Sequence, residues 1–108
     1  MSKKILAWFY MALLFVYGTL KKVSTHKKIL GRRVNGFSDI LENYSRSKIK
    51  INNHSYPIIT KKRGRSIRGF VFTVNLEELA LIDEYETKAY RRQGVVLKSG
   101  KSAWVYMK

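Results

Sequence analysis

The sequence predicts an α+β domain, a small mixed β-barrel with one or two flanking helices. Three observations lead there. Leu13-Leu14-Phe15-Val16-Tyr17 is a continuous apolar run ended by Gly18, which suits a strand buried on both faces. Later segments alternate apolar and polar residues with the period of two that marks a half-buried strand. One stretch after Asn75 instead carries apolar residues at helical spacing. About five to seven short strands with one sure helix, and no internal repeat, imply a small α+β domain, with a closed barrel as one form it can take.

Taken in order, Leu13 to Tyr17 is the first strand. Lys21 to Leu30 is polar and reads as a loop or a short helical turn. Gly31 and Gly36 punctuate the stretch that follows. Lys48-Ile49-Lys50-Ile51 alternates, Asn52-Asn53 is turn chemistry, and Ser55 to Thr60 returns as a second strand. Pro57 has no N–H for a ladder, so this strand lies at an edge or starts late. Lys61-Lys62-Arg63-Gly64-Arg65 reads as a solvated loop. Arg65 to Val74 is the clearest strand, with Phe70, Phe72 and Val74 on one face and Val71 and Thr73 on the other. Asn75 then caps a helix, and Glu78 supplies the return half of a capping box. Gly94 to Lys98, the Ser99-Gly100 turn and Ala103 to Tyr106 form a terminal hairpin.

Length and composition narrow the function classes. The 108 residues suffice for one core, and 45% hydrophobic content argues against disorder. Without cysteine there is no disulfide scaffold, thiolate zinc site or cysteine nucleophile. The two histidines, His26 and His54, have no second ligand at metal spacing and read as solvated loop residues. Ile5 to Leu20 is an uncharged stretch of 16 residues, shorter than a spanning helix needs, with no Ala-x-Ala site after it. Residues 1–10 are therefore an N-terminal extension and 11–108 the domain. Asn43-Tyr44-Ser45 and Asn53-His54-Ser55 fit the glycosylation pattern, but the chain reads as cytoplasmic and they are coincidental.

Two segments carry candidate chemistry. Leu79, Ile82 and Glu86 are spaced i, i+3, i+7, so a helix that reaches Glu86 puts this carboxylate on the apolar face. Burial of such a group raises its pKa toward the range of a general base. A helix that ends near Asp83 instead leaves Glu86 a solvated surface acid. Asp83 and Glu84 read as exposed or helix-positioning groups. Tyr17-Gly18-Thr19-Leu20 is either a plain strand end or a turn whose successive N–H groups meet a carboxylate or oxyanion. Arg91-Arg92 reads as outward charge, with a substrate carboxylate as the alternative partner.

In this order and at this separation, the segments resemble the gamma-glutamylcyclotransferase-like (AIG2-like) family. The matching residues are Phe15-Val16-Tyr17-Gly18-Thr19-Leu20, Tyr56-Pro57, Ile82-Asp83-Glu84-Tyr85-Glu86, Tyr90 with Arg91 and Arg92, and Ala103-Trp104-Val105-Tyr106. The resemblance covers the chain from about Met11 onward. It departs from the family pattern at Val23 and Thr87, where glycine is usual, and at Ile82, where leucine is. It implies a small barrel around a cavity and an enzyme that cyclises a γ-glutamyl amine or peptide to 5-oxoproline. Glu86 would be the catalytic acid–base, with Tyr17, Gly18, Thr19, Leu20 and Tyr90 holding the substrate. No cofactor and no metal is implied, because the nucleophile belongs to the substrate.

The net charge of +15, from 22 basic and seven acidic residues, is the rival signal. Its pairs are scattered along the sequence, so nucleic acid is the minority expectation for a partner and a small γ-glutamyl substrate the main one. The alternative function is a non-enzymatic basic module of the same fold that contacts nucleic acid or another polyanion through Lys61, Lys62, Arg63 and Arg65. A third reading inserts Ile5 to Leu20 in a membrane. It conflicts with Leu13 to Tyr17 as a barrel strand, and stable insertion is not expected. The expected assembly is a monomer or homodimer.

Overall fold

A computed structural model of the chain describes residues 11–17, 20–32, 36–86 and 90–107. Five strands form one sheet in the order β2-β3-β1-β5-β4. They are β1 (Ala12–Tyr17), β2 (Gly36–Ile51), β3 (His54–Val74), β4 (Arg91–Val96) and β5 (Ser102–Met107). Helix α1 (Leu20–Leu30) follows β1, and α2 (Leu76–Glu86) follows β3. The sheet is mixed: β1 runs parallel to β5, and every other pair is antiparallel. The edges approach each other where the chain leaves β4. The Lys98 amide donates to the Ile40 carbonyl of β2 at 2.8 Å, and the Ser99 hydroxyl donates to Asp39. These contacts curl the sheet into a half-barrel.

The apolar run predicted as a doubly buried strand is β1, at the centre of the sheet. Its alternate residues feed two cores. Phe15 and Tyr17 join Leu41, Ile59, Ile67, Val71 and Val105 inside the curl. Leu14 and Val16 join Phe72, Val74, Leu79, Ile82 and Tyr106 under α2. Each fully buried side chain of this size contributes roughly 1.5–3 kcal/mol. Gly69 faces Tyr17 in the register, and a Cβ there would lie 2.4 Å from the Phe15 ring. Its bare α-carbon is what leaves room for that ring. Residues 1–10 lie outside the described residues. Among those described, no helix is long and apolar enough to cross a membrane.

Two expectations change. Lys61 to Arg65 is not a loop between strands but part of a single long β3. The register shifts here, from Glu42↔Ser66 to Tyr44↔Lys61, and Asn43 (φ 66°) and Gly64 (φ 84°) take the left-handed conformations that absorb the extra residues. The Gly64 amide donates to Asn43 Oδ1 at 3.2 Å across the bulge. Lys21 to Leu30 is likewise not a loop or single turn but most of an 11-residue helix. No Gly or Pro interrupts it, Lys27 and Lys28 complement its C-terminal dipole, and Gly31 (φ 67°) ends it.

The capping box at α2 forms as the sequence predicts. Asn75 Oδ1 accepts from the Glu78 amide at 2.8 Å, and Glu78 Oε1 accepts from the Asn75 amide at 3.0 Å. Arg32 grips the same carboxylate through Nε and Nη2 and donates to the Thr73 carbonyl at 2.9 Å. Burial alone pushes the Glu78 carboxyl up, but the Arg32 and Asn75 hydrogen bonds outweigh it and hold the group below its ordinary range. A carboxyl lowered on folding stabilises fully above its unfolded-state pKa and stops doing so as pH falls through its folded one. Glu78→Ala is therefore expected to cost about 1–3 kcal/mol at neutral pH. Urea unfolding should show the mutant and wild-type stabilities converging in acid.

Candidate functional site

Helix α2 does not stop near Asp83. It runs through Glu86, and Leu79, Ile82 and Glu86 are all buried along one face, as the i, i+3, i+7 spacing requires. Glu86 is only 4% exposed. Burying a carboxylate is unfavourable unless polar groups meet it. Here His26 of α1 does so, with Nε2 3.3 Å from Glu86 Oε1 and its own side chain fully buried. The imidazole also packs against the Phe72 ring, centroid to centroid 5.9 Å.

His26 is therefore not the solvated loop residue that the sequence suggested. Its helical context holds the reason: His26 sits i, i+3 and i+4 from Ile29 and Leu30, which pack against the core beneath α2. Read as a helix, Lys21 to Leu30 would have placed His26 on the inner stripe. His54, by contrast, is exposed at the start of β3.

Three tyrosines stand in the field of Glu86. Tyr17, at the end of β1, is buried and donates to the Tyr106 carbonyl at 3.1 Å. Tyr90, just before β4, donates to the Pro57 carbonyl at 2.8 Å and so ties the β2–β3 hairpin to the start of β4. Burial pushes the Tyr17 phenol well above its usual range, and Tyr90 and Glu86 add to the rise, while Arg46 on the hairpin opposes it. Burial also raises the Tyr90 phenol, followed by Glu86 and Tyr56. For Tyr106, burial comes first and its hydrogen bond to Asp83 at 2.5 Å next. All three phenols thus remain protonated donors at ordinary pH.

Tyr17 of β1, Glu86 of α2 and Tyr90 just before β4 lie near enough for their charges to act on one another. Leu20 supplies the first residue of α1, while Gly18 and Thr19 lie outside the described residues. Arg91 is exposed. Arg92 is committed elsewhere: its Nε donates to Asp83 Oδ1 at 3.0 Å and its guanidinium lies 4.4 Å from the Trp104 ring centre. Asp83 is thus a positioning group, as expected, and Glu84 is exposed. Two cavities of about 530 Å³ lie elsewhere, one beside Met11–Leu13 and Trp104, the other beside Asp39 and Arg68. No cluster of three or more potential metal ligands occurs among the described residues.

Comparison with known proteins gives this geometry a context. Residues 14–108 match the family model described as gamma-glutamyl cyclotransferase, AIG2-like. Solution structures of two Arabidopsis thaliana proteins are 26% and 25% identical, with TM-scores of 0.73 and 0.70. Each match covers 90% of this chain, and 61% and 68% of the plant chains respectively. An uncharacterized Homo sapiens protein shares the fold at 19% identity and a TM-score of 0.72, over 90% of this chain and 66% of its own. A structure described as a gamma-glutamyl cyclotransferase shares it at 16% identity and a TM-score of 0.65, with the same coverage. The chain therefore spans roughly two thirds of the length of these proteins, and less of the first. No curated protein matches the sequence.

The His26–Glu86 contact makes a prediction about tautomers. His26 Nδ1 has no hydrogen-bond partner among the described residues. A bare lone pair is cheaper to bury alone than an N–H donor. The proton therefore belongs on Nε2, where it is donated to Glu86. Long-range 1H–15N correlation of labelled histidine at neutral pH should show an Nε2–H tautomer for His26, and an Nδ1–H tautomer would contradict the assignment.

Proposed function

Because the chain belongs to the gamma-glutamyl cyclotransferase, AIG2-like family, we propose that it cyclises a γ-glutamyl amine or peptide to 5-oxoproline and releases the free amine. One observation carries this reading: a sequestered carboxylate, Glu86, held by a buried imidazole beside Tyr17 and Tyr90.

The chemistry asks little of the protein beyond position and proton transfer. Glu86 takes a proton from the α-amino group of the γ-glutamyl moiety as that nitrogen attacks its own γ-carbonyl carbon. A carbon–nitrogen bond forms and the carbonyl electron pair moves onto oxygen. Protonated Glu86 then gives its proton to the departing nitrogen, the original amide bond breaks, and the carbonyl re-forms in the lactam. The proton lost by the nucleophile is the one gained by the leaving group, so the cycle closes without a cofactor. Intramolecular attack gains from enforced proximity, and shuttling by a placed acid–base is worth roughly 10²–10⁴ in rate.

The remaining residues have assigned parts in this proposal. The His26 Nε2–H, donated to Glu86 Oε1, fixes the carboxylate in place. Tyr17 and Tyr90 wall the glutamyl moiety. The amides from Gly18 to Leu20 meet the carbonyl oxygen as it gains charge. A cytoplasmic location fits the absence of cysteine from the chain.

Purified protein incubated with γ-glutamyl amines and dipeptides should release 5-oxoproline, detected by chromatography. Glu86→Gln should lower kcat by at least about 10². Unchanged turnover in that variant would remove Glu86 from the mechanism, and a silent panel would overturn the reaction. His26→Ala should lower kcat about tenfold with KM little changed, since one charge-assisted hydrogen bond is lost. His26→Gln, which keeps an N–H donor, should recover part of the difference in the same assay.

A further inference from the structure

The reaction above makes no use of the molecule's largest electrostatic feature. In the sequence the cations are scattered; the β2–β3 register gathers seven of the 22. Strand β1 covers β3 only from Gly69 to Val74. From Tyr44↔Lys61 to Ile51↔His54, β2 and β3 continue as a two-stranded ribbon with no third strand. At the strand rise, this part is about 24 Å long. It carries Arg46, Lys48 and Lys50 on β2 and Lys61, Lys62, Arg63 and Arg65 on β3 and its bulge, all exposed.

No carboxylate lies within the ribbon, and Glu42 stands just outside it, opposite Ser66. The sequence has no Asp or Glu between Glu42 and Glu77. The acids elsewhere are largely spoken for: Asp39 by Ser99, Glu78 by Arg32, Asp83 by Arg92 and Tyr106, Glu86 by His26. Among the described residues, none of the seven ribbon cations stands in an ion pair. Such a field lowers stability by self-repulsion unless a counter-charge meets it.

The arrangement selects the partner. Arg46, Lys48 and Lys50 alternate along β2, so they share one face and repeat every two residues, about 6.7 Å. That repeat is comparable to the step between phosphates along a nucleic-acid strand. A two-stranded antiparallel ribbon is also of a size that the major groove of a DNA duplex admits. The turn at the ribbon tip, Asn52-Asn53-His54, is polar, and of the exposed large apolar side chains only Ile51 and Tyr56 stand near it among the described residues. We propose that the β2–β3 ribbon is a sequence-independent docking surface for the phosphate backbone of nucleic acid.

Fluorescence anisotropy with a labelled 24-base-pair DNA duplex of arbitrary sequence, titrated from low to high salt, tests this. Binding should weaken steeply with salt, by about 0.9 logarithmic units per decade for each phosphate neutralised. A triple variant, Arg46→Gln, Lys48→Gln and Lys50→Gln, should lose at least about tenfold in affinity and flatten that slope by about one unit per lost contact. Lys61→Gln, Lys62→Gln and Arg63→Gln together should do the same, and they keep the test open if the first variant fails to fold. A control with the same charge change away from the ribbon, Lys27→Gln, Lys28→Gln and Lys98→Gln, should bind within about threefold of wild type. Equal losses in ribbon and control variants would overturn the proposal. So would the absence of duplex binding at low salt, or binding to phosphatidylserine vesicles without binding to the duplex.

Discussion

A carboxylate buried against an imidazole is the constraint around which this domain is arranged. Glu86 and His26 are both almost fully inside, on two helices 60 residues apart in the chain. Neither can be there unless α2 sits at a fixed height and rotation, because a buried charge without its partner is costly. Two other carboxylates of α2 supply that placement. Glu78 ties its first turn to Arg32 beyond α1, and Asp83 ties its middle to Arg92 of β4 and Tyr106 of β5. The helix is pegged at three points, Glu78, Asp83 and Glu86, to the segment after α1, to β4 and β5, and to α1. Its acids are structural before they are chemical.

The sheet supplies the floor for this arrangement. β1 is central, and its side chains alternate between the interior of the curl and the layer beneath α2. One strand thus couples the two cores. It also delivers Tyr17 at the point where the chain turns into α1, the helix that carries His26. The same short segment therefore sets both the phenol beside Glu86 and the direction in which its imidazole partner arrives. On the far side, Tyr90 reaches the Pro57 carbonyl and fastens the middle of the basic ribbon to the start of β4.

What was legible in the sequence was whatever depends on near neighbours. Leu13 to Tyr17 announces a doubly buried strand by composition alone. Asn75 and Glu78 announce a helix start because both halves of the box lie within one turn. Ser99-Gly100 announces the last hairpin. Glu86 was half legible: spacing gave its face, but the extension of the helix to reach it rests on long-range contacts. His26 was misread because its burial is created by a helix 60 residues away, and Lys61 to Arg65 because the continuity of β3 there depends on Asn43 across the bulge. A polar segment looks solvated until the element that covers it is known.

The parallel pairing of β1 with β5 also governs how the molecule can assemble. The first strand lies beside one of the last, and both cores draw on that late strand, through Val105 on one side and Tyr106 on the other. Leu14 and Phe15 leave the ribosome long before these partners exist. The β2–β3 hairpin can zip locally meanwhile, since its turn and register are its own. Closure of the curl must wait for synthesis to reach Met107, and contacts of such long sequence separation form slowly. During that interval the most apolar strand is incompletely covered, which is the condition under which nascent chains aggregate or engage chaperones.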